Sequence, residues 1–61
     1  MTAAQMEEDQ VYRLVDTGEL IEFKYIGKTG KVIVCAPGER GAGMQSSFAV
    51  DAWAEVVKAT L

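Results

Sequence analysis

The chain has 61 residues, with six basic and nine acidic side chains and a formal net charge of -3. One cysteine and no histidine exclude an internal disulfide and an ordinary zinc site. A chain this short buries only about 60% of the surface that its unfolded form exposes, so we expect self-association as a homodimer to add stability. The single cysteine, and the expected lack of a secretory leader or membrane span, indicate a cytoplasmic protein.

The acidic charge is concentrated at the N-terminus. Glu7, Glu8 and Asp9 lie among the leading ten residues, which contain no base, so the six remaining acids of residues 11–61 balance the six bases. The sequence therefore predicts a disordered acidic tail over residues 1–10 and one small domain over residues 11–61. A near-neutral domain neither requires nor excludes a polyanionic partner.

Two β-strands are predicted at the start of the domain. Residues 11–17 alternate in character and are rich in β-forming side chains, and the Thr17-Gly18 pair supplies a turn. Residues 19–26 form a second, half-buried strand. Residues 27–30 begin and end with glycine, which suits a hairpin connection to the next strand.

The third predicted strand, residues 31–36, is apolar on both faces. One face carries Val32, Val34 and Ala36, and the other carries Ile33 and Cys35. A strand of this kind is central and covered on both sides. Pro37 cannot donate to a sheet and ends it, and residues 43–48 predict a short fourth strand.

Residues 49–61 change to a helical period. Apolar side chains recur there at three- and four-residue steps, namely Val50, Trp53, Ala54, Val57 and Leu61. The sequence therefore predicts an α+β fold, a four-stranded antiparallel sheet followed by one C-terminal α-helix (β-β-β-β-α).

One helix covers only one face of a small sheet, so the other face of the third strand needs a further cover. A dimer partner, the curling of the sheet into a barrel, or a ligand would supply it, and the first two are favoured for so small a chain. We expect four apolar side chains to lie in the dimer interface or the core: Ile33, Cys35, Trp53 and Val57.

The glycine-rich stretch between the third and fourth strands does not form a nucleotide-binding motif. Gly38 and Gly43 have the spacing of a phosphate-binding loop, but Met44 and Gln45 follow where lysine and serine or threonine are required. No histidine is present, and Cys35 lies in an apolar strand without an evident base. The sequence thus predicts a protein that is not an enzyme and needs no cofactor or metal.

Basic side chains cluster on one hairpin and the loop beyond it. They are Lys24, Lys28, Lys31 and Arg40, with Tyr25 among them. Cations along strands with an interleaved aromatic can follow a phosphate backbone and stack on a base, as in single-strand binders. The alternative is ordinary surface lysine that protects a strand edge.

Two stretches carry a resemblance to a known family. They are "GKVIVC", followed by the glycine-rich loop, and "SFAVDAW". The residues that match the family's pattern are Gly30, Lys31, Val32, Pro37, Gly38, Arg40, Gly41, Ser47, Phe48 and Trp53. In this pattern the chain resembles the positive-cofactor-four (p15) transcriptional coactivators. The resemblance implies a four-stranded sheet plus helix that dimerises and binds single-stranded DNA, with Lys31 and Arg40 at basic contact positions.

A second resemblance is to a small SH3-like barrel with a C-terminal helix. The stretch "YIGKTGKVIVCAPGE" is similar to the glycine-rich strand-turn-strand of a KOW element. Barrel closure would then cover the doubly apolar strand.

The sequence leads to two functional hypotheses. The first is a homodimeric single-stranded nucleic-acid-binding protein, acting in transcription regulation, in which Lys24, Lys28, Lys31 and Arg40 pair with phosphates and Tyr25 stacks on a base. The second is a protein-interaction module, a small regulatory or inhibitory subunit. It is based on the near-neutral domain, the acidic tail and the spare apolar face.

Overall fold

The structure is a five-stranded antiparallel sheet. A computed structural model describes residues 1–38 and 47–60. The strands are β1 (Val11–Leu14), β2 (Leu20–Ile26), β3 (Val32–Cys35), β4 (Phe48–Val50) and β5 (Val56–Ala59), and a short 3-10 helix (Ala3–Gln5) precedes them. The strand order across the sheet is β4-β3-β2-β1-β5, so the first and last strands of the chain are neighbours.

The first three strands and their connections agree with the sequence analysis. Alternation fixes which side chains face inward; Gly18 lies in the turn after β1, and Gly27 directly follows β2. Strand β3 lies between β2 and β4. Val32, Val34 and Cys35 are fully buried and Ile33 is partly buried. The third strand thus lies inside the sheet, with one face fully buried and the other buried at Cys35 and partly exposed at Ile33.

The predicted C-terminal helix is wrong. Val50 ends β4, a turn closes with a hydrogen bond from the Ala54 N–H to the Asp51 carbonyl (3.0 Å), and residues 56–59 form β5. Strand β5 pairs with β1 from Val11↔Ala59 to Leu14↔Val56. This pairing gives hydrogen-bond partners to the backbone N–H and C=O groups along the outer edge of β1. A local helical period in the sequence does not reveal this long-range contribution.

The four-stranded sheet is corrected with it, and so is the C-terminal helix of the barrel alternative. The sheet has five strands, and no α-helix caps it within the described residues. The predicted fourth strand, residues 43–48, lies mostly outside the described part of the chain, and β4 is formed by Phe48–Val50.

The N-terminal residues pack against the sheet, which differs from the expected disordered tail. Ala3 is fully buried and Met6 nearly so, and both belong to the hydrophobic core. The N–H groups of Ala3 and Ala4 donate to the carbonyls of Ala54 and Ala52 at 2.8 and 3.0 Å. Beyond them, the Glu7 N–H donates to the Tyr12 hydroxyl at 2.9 Å. The acidic side chains follow this packed start.

The core lies on one face of the sheet and is closed by the N-terminal segment. Its largest members are contributed by β1, β2, β3 and β5, namely Tyr12, Leu14, Ile21, Val32, Val34 and Val56. Phe23 and Val50 pack against them while partly exposed. A β-bulge at Lys24 shifts the β2–β3 register between Phe23 and Tyr25. No helix in the described ranges is long and apolar enough to cross a membrane.

Candidate functional site

A cleft runs between two loops that the strand order brings side by side. One wall is the β1–β2 turn, residues 15–19. It closes with hydrogen bonds from the Leu14 N–H to the Glu19 carbonyl (2.9 Å) and from the Gly18 N–H to the Leu14 carbonyl (2.7 Å). Gly18 has φ +80°, a conformation that glycine adopts without a Cβ penalty. The turn is therefore held in one shape.

The other wall is the β4–β5 connection, residues 51–55. Its backbone is fixed by the Ala54–Asp51 turn bond and by the N-terminal segment that lies along it. The Val15 N–H donates to the Glu55 carbonyl at 3.1 Å, which joins the two walls directly. Because both walls are held by backbone hydrogen bonds, the cleft exists without a bound partner, and binding would cost little ordering of the chain.

The cleft has two adjoining parts. The larger, of about 470 Å³, is lined by Leu14, Val15, Asp16, Asp51, Trp53, Ala54 and Glu55. The smaller, of about 280 Å³, extends past Asp16 to Thr17, Glu19, Lys31 and β4. Leu14, Asp16, Asp51 and Ala54 line both parts. We call the whole surface the turn cleft.

Large apolar side chains of the turn cleft are open to solvent. Trp53 is 75% exposed and Val15 is 53% exposed, and both line its larger part. Phe48, at the far end of the smaller part, is also exposed. Tryptophan is concentrated at the centres of protein interfaces, since it buries much area with few rotamers to fix. An unburied tryptophan on a preformed wall indicates a contact surface.

The turn cleft is acidic. Four carboxylates line it, from Asp16, Glu19, Asp51 and Glu55, against one lysine, Lys31. The Lys31 ammonium bonds the Asp51 carboxylate at 2.6 Å, and the α-ammonium of Met1 bonds that of Glu55 at 2.9 Å. Asp16 and Glu19 have no side-chain partner among the described residues, and the Arg13 guanidinium donates to the Gly18 carbonyl of the same turn at 3.1 Å.

The predicted nucleic-acid-binding residues differ in their exposure and contacts. Lys31 turns toward the cleft and its ammonium is paired with Asp51. Tyr25 is exposed, and its strand register pairs it with the partly buried Ile33. Lys24 is partly buried at the bulge and makes an interaction of its own.

Of the two other basic residues of that set, one lies in the next turn and one is not described. Lys28 is exposed in the β2–β3 turn, which is closed by hydrogen bonds between the backbone of Gly27 and those of Lys31 and Gly30. Arg40 lies outside the described residues. The structure therefore supplies one exposed lysine without a described partner near the exposed Tyr25.

The four residues expected at an interface or in the core divide in two. Cys35 is buried within the single chain, and Ile33 is partly buried. Trp53 and Val57 are exposed. Trp53 lies in the connection before β5, and within β5 the buried side chain is that of Val56. The homodimer therefore stays a prediction, and Trp53 is the most exposed large apolar side chain of the described residues.

Groups that could perform chemistry are not gathered in the described part of the chain. Its one thiol, Cys35, is buried and lies 3.8 Å from the Glu22 carbonyl. Within residues 1–38 and 47–60, no three His, Cys, Asp or Glu side chains are grouped as metal ligands would be. What the turn cleft offers is shape, apolar area and negative charge.

No family model, curated protein or solved structure matches the chain. The resemblance to the positive-cofactor-four coactivators therefore stays a prediction. The closing helix that the resemblance implies is not present, because residues 56–59 form β5.

Proposed function

We propose that the protein is a non-catalytic protein-interaction module of the cytoplasm and that the turn cleft binds a segment of its partner. The observation that carries this proposal is Trp53, 75% exposed on a wall fixed by backbone hydrogen bonds. Leaving so much aromatic surface in water forfeits the hydrophobic free energy that a partner would recover. Val15 and Leu14 beside it extend the same apolar strip.

Charge favours this proposal over single-stranded nucleic acid. The turn cleft carries four carboxylates, which repel phosphates, and its lysine is paired with one of them. A single-strand binder combines an aromatic platform with a row of cations along the backbone path. Here the exposed Tyr25 has Lys28 near it, and the chain as a whole has a net charge of -3.

The test is affinity capture from a host-cell lysate treated with nuclease, using three baits: the wild-type chain, Trp53→Ala and Val57→Ala. Val57 is a matched control, because it is an exposed apolar side chain, 45% accessible, that does not line the turn cleft. We expect a partner to be retained by the wild type and by Val57→Ala and to be lost from Trp53→Ala. Loss of one hot-spot tryptophan weakens an interface at least about 30-fold.

Two results would contradict the proposal. One is a partner held equally well by Trp53→Ala, which would move the interface elsewhere. The other is loss of all binding after nuclease, together with binding of an oligothymidine that weakens as salt rises. That pair of results would restore the nucleic-acid hypothesis.

A further inference from the structure

The occupant of the turn cleft is constrained by how its apolar and acidic parts are arranged. This inference rests on the proposed function and gives it a ligand chemistry. Trp53 and Val15 line the larger part, Glu19 lines the smaller part, and Asp16 lines both. A bound segment would therefore meet apolar surface and free carboxylates next to each other.

The carboxylates of this surface already bind cations of the chain itself. The Lys31 ammonium pairs with the Asp51 carboxylate at 2.6 Å, and the Met1 α-ammonium pairs with the Glu55 carboxylate at 2.9 Å. Asp16 and Glu19 are the remaining two, both exposed and without a side-chain partner among the described residues. Opposite charge placed across an interface selects partners and raises the association rate.

We propose that the turn cleft binds a cationic peptide segment in which a lysine or arginine neighbours a large apolar side chain. The basic side chain pairs with Asp16 and Glu19, and the apolar side chain packs against Trp53 and Val15. Asp16 is the residue that determines specificity, because it stands where the two parts of the cleft meet. A polyanion or an acidic segment is rejected by the same charges.

A second copy of the chain fits this surface less well than a basic segment does. The chain has a net charge of -3, so two copies repel each other at an acidic cleft. Its exposed Lys58 does neighbour an exposed apolar side chain, Val57, but both lie in β5 and are held in the sheet by pairing with β1, so they cannot enter the cleft as a free linear segment. Self-association through the cleft is therefore an outcome that the experiment must detect.

The experiment selects peptides from a random displayed library on the wild-type protein and discards those that also bind Trp53→Ala. The selected peptides are then synthesised with a fluorescent label. Their affinities are measured for the wild type, for the double variant Asp16→Asn/Glu19→Gln, and for Glu7→Gln. Glu7 is a charge control, an exposed carboxylate that does not line the cleft. Asp16 and Glu19 donate or accept no described side-chain bond, so the double variant keeps the fold.

We expect lysine or arginine beside an apolar residue in the selected peptides. Affinity should fall about three- to tenfold in the double variant, the size of two exposed ion pairs, and should not change in Glu7→Gln. Peptides that depend on Trp53 but lack basic residues, or that bind the double variant equally, would overturn this inference and leave the proposed function standing. A library that yields no Trp53-dependent peptide, or a wild-type chain that self-associates through Trp53, would overturn both.

Discussion

The pairing of β5 with β1 is tested by truncating two adjacent valines. Val56 is fully buried in the core and pairs with Leu14, whereas Val57 is 45% exposed on the other face of the same strand. In the helical interpretation of residues 49–61 the roles are reversed, since Val57 lies on the apolar face and Val56 does not. Val56→Ala and Val57→Ala therefore distinguish the two folds without changing charge, and because the substitution is the same at both sites, its effect on secondary-structure propensity is shared.

The expected magnitudes follow from burial. Val56→Ala removes two buried carbon groups at about 0.8 kcal/mol each, and the cavity left behind brings the loss to about 1.5–3 kcal/mol. Val57→Ala loses about 0.5 kcal/mol or less, as exposed substitutions do. A chain of 61 residues has a total stability of only about 3–9 kcal/mol, so the first loss is a large part of the whole.

The assay is urea unfolding followed by far-ultraviolet circular dichroism, with melting curves in parallel. We expect Val56→Ala to lower the melting temperature by about 6–24 °C, from the loss of about 1.5–3 kcal/mol and about 4–8 °C per kcal/mol for domains of this size. Val57→Ala serves as the matched control at the neighbouring position. A Val57→Ala variant that is less stable than Val56→Ala would refute the β1–β5 pairing and restore the helix.

Three further predictions concern the turns, the N-terminal segment and the cleft. Gly18→Ala adds a Cβ that has no atom within 4 Å, so no clash results. The expected loss of about 1–2 kcal/mol in unfolding free energy comes from the backbone conformation at φ +80°. Gly18→Asn should lose less in urea unfolding, because asparagine adopts this conformation more readily. Tyr12→Phe removes the acceptor of the Glu7 N–H, and we expect a loss of about 1–2 kcal/mol and faster hydrogen exchange at that amide; unchanged exchange would contradict the packing of this segment. The side chains of Lys31 and Asp51 are 50% and 39% exposed, so water and salt screen their ion pair. A double-mutant cycle should therefore give a coupling free energy below about 1 kcal/mol that decreases as salt is added. A salt-independent coupling of several kcal/mol would contradict this exposure.

The first three strands could be predicted because their causes are local. Alternation sets the inward face of β1 and β2, and the doubly apolar β3 indicates its central place before any pairing is known. The glycines at residues 18, 27 and 30 mark where the chain must turn. Each strand is shorter in the structure than in the prediction, since its ends enter those turns.

Strand β5 could not be predicted in the same way. Its partner is β1, and Val11↔Ala59 are far apart in the chain. Within residues 49–61, valines and alanines satisfy a helical period as well as an alternating one, so local pattern does not decide between them. The long-range pairing decides, and it turns Val56 inward and Trp53 outward.

The N-terminal segment was obscured by averaging its composition. Glu7, Glu8 and Asp9 give the leading residues an acidic character, but the six residues before them contain no charged side chain. Ala3 and Met6 supply the apolar contacts of this half, and Thr2 bridges to Glu55 beside β5. The packing of residues 1–6 depends on their contacts with the β4–β5 connection, which a local composition does not reveal.

The turn cleft was missed for a related reason. Asp16 and Trp53 lie in loops distant in sequence, and they meet because β5 lies beside β1. The sequence drew attention to the glycine-rich stretch and the bases near it, where side chains of one kind cluster in the chain. Trp53, flanked by alanines, was assigned to a helix face instead.

The emission of Trp53, the only tryptophan in the chain, tests the central claim most directly. In the free wild-type protein at low concentration, we expect red-shifted emission and quenching by iodide nearly as efficient as in the urea-unfolded chain. A blue-shifted, poorly quenched Trp53 in the folded monomer would contradict both the exposed wall of the turn cleft and the strand that places it there.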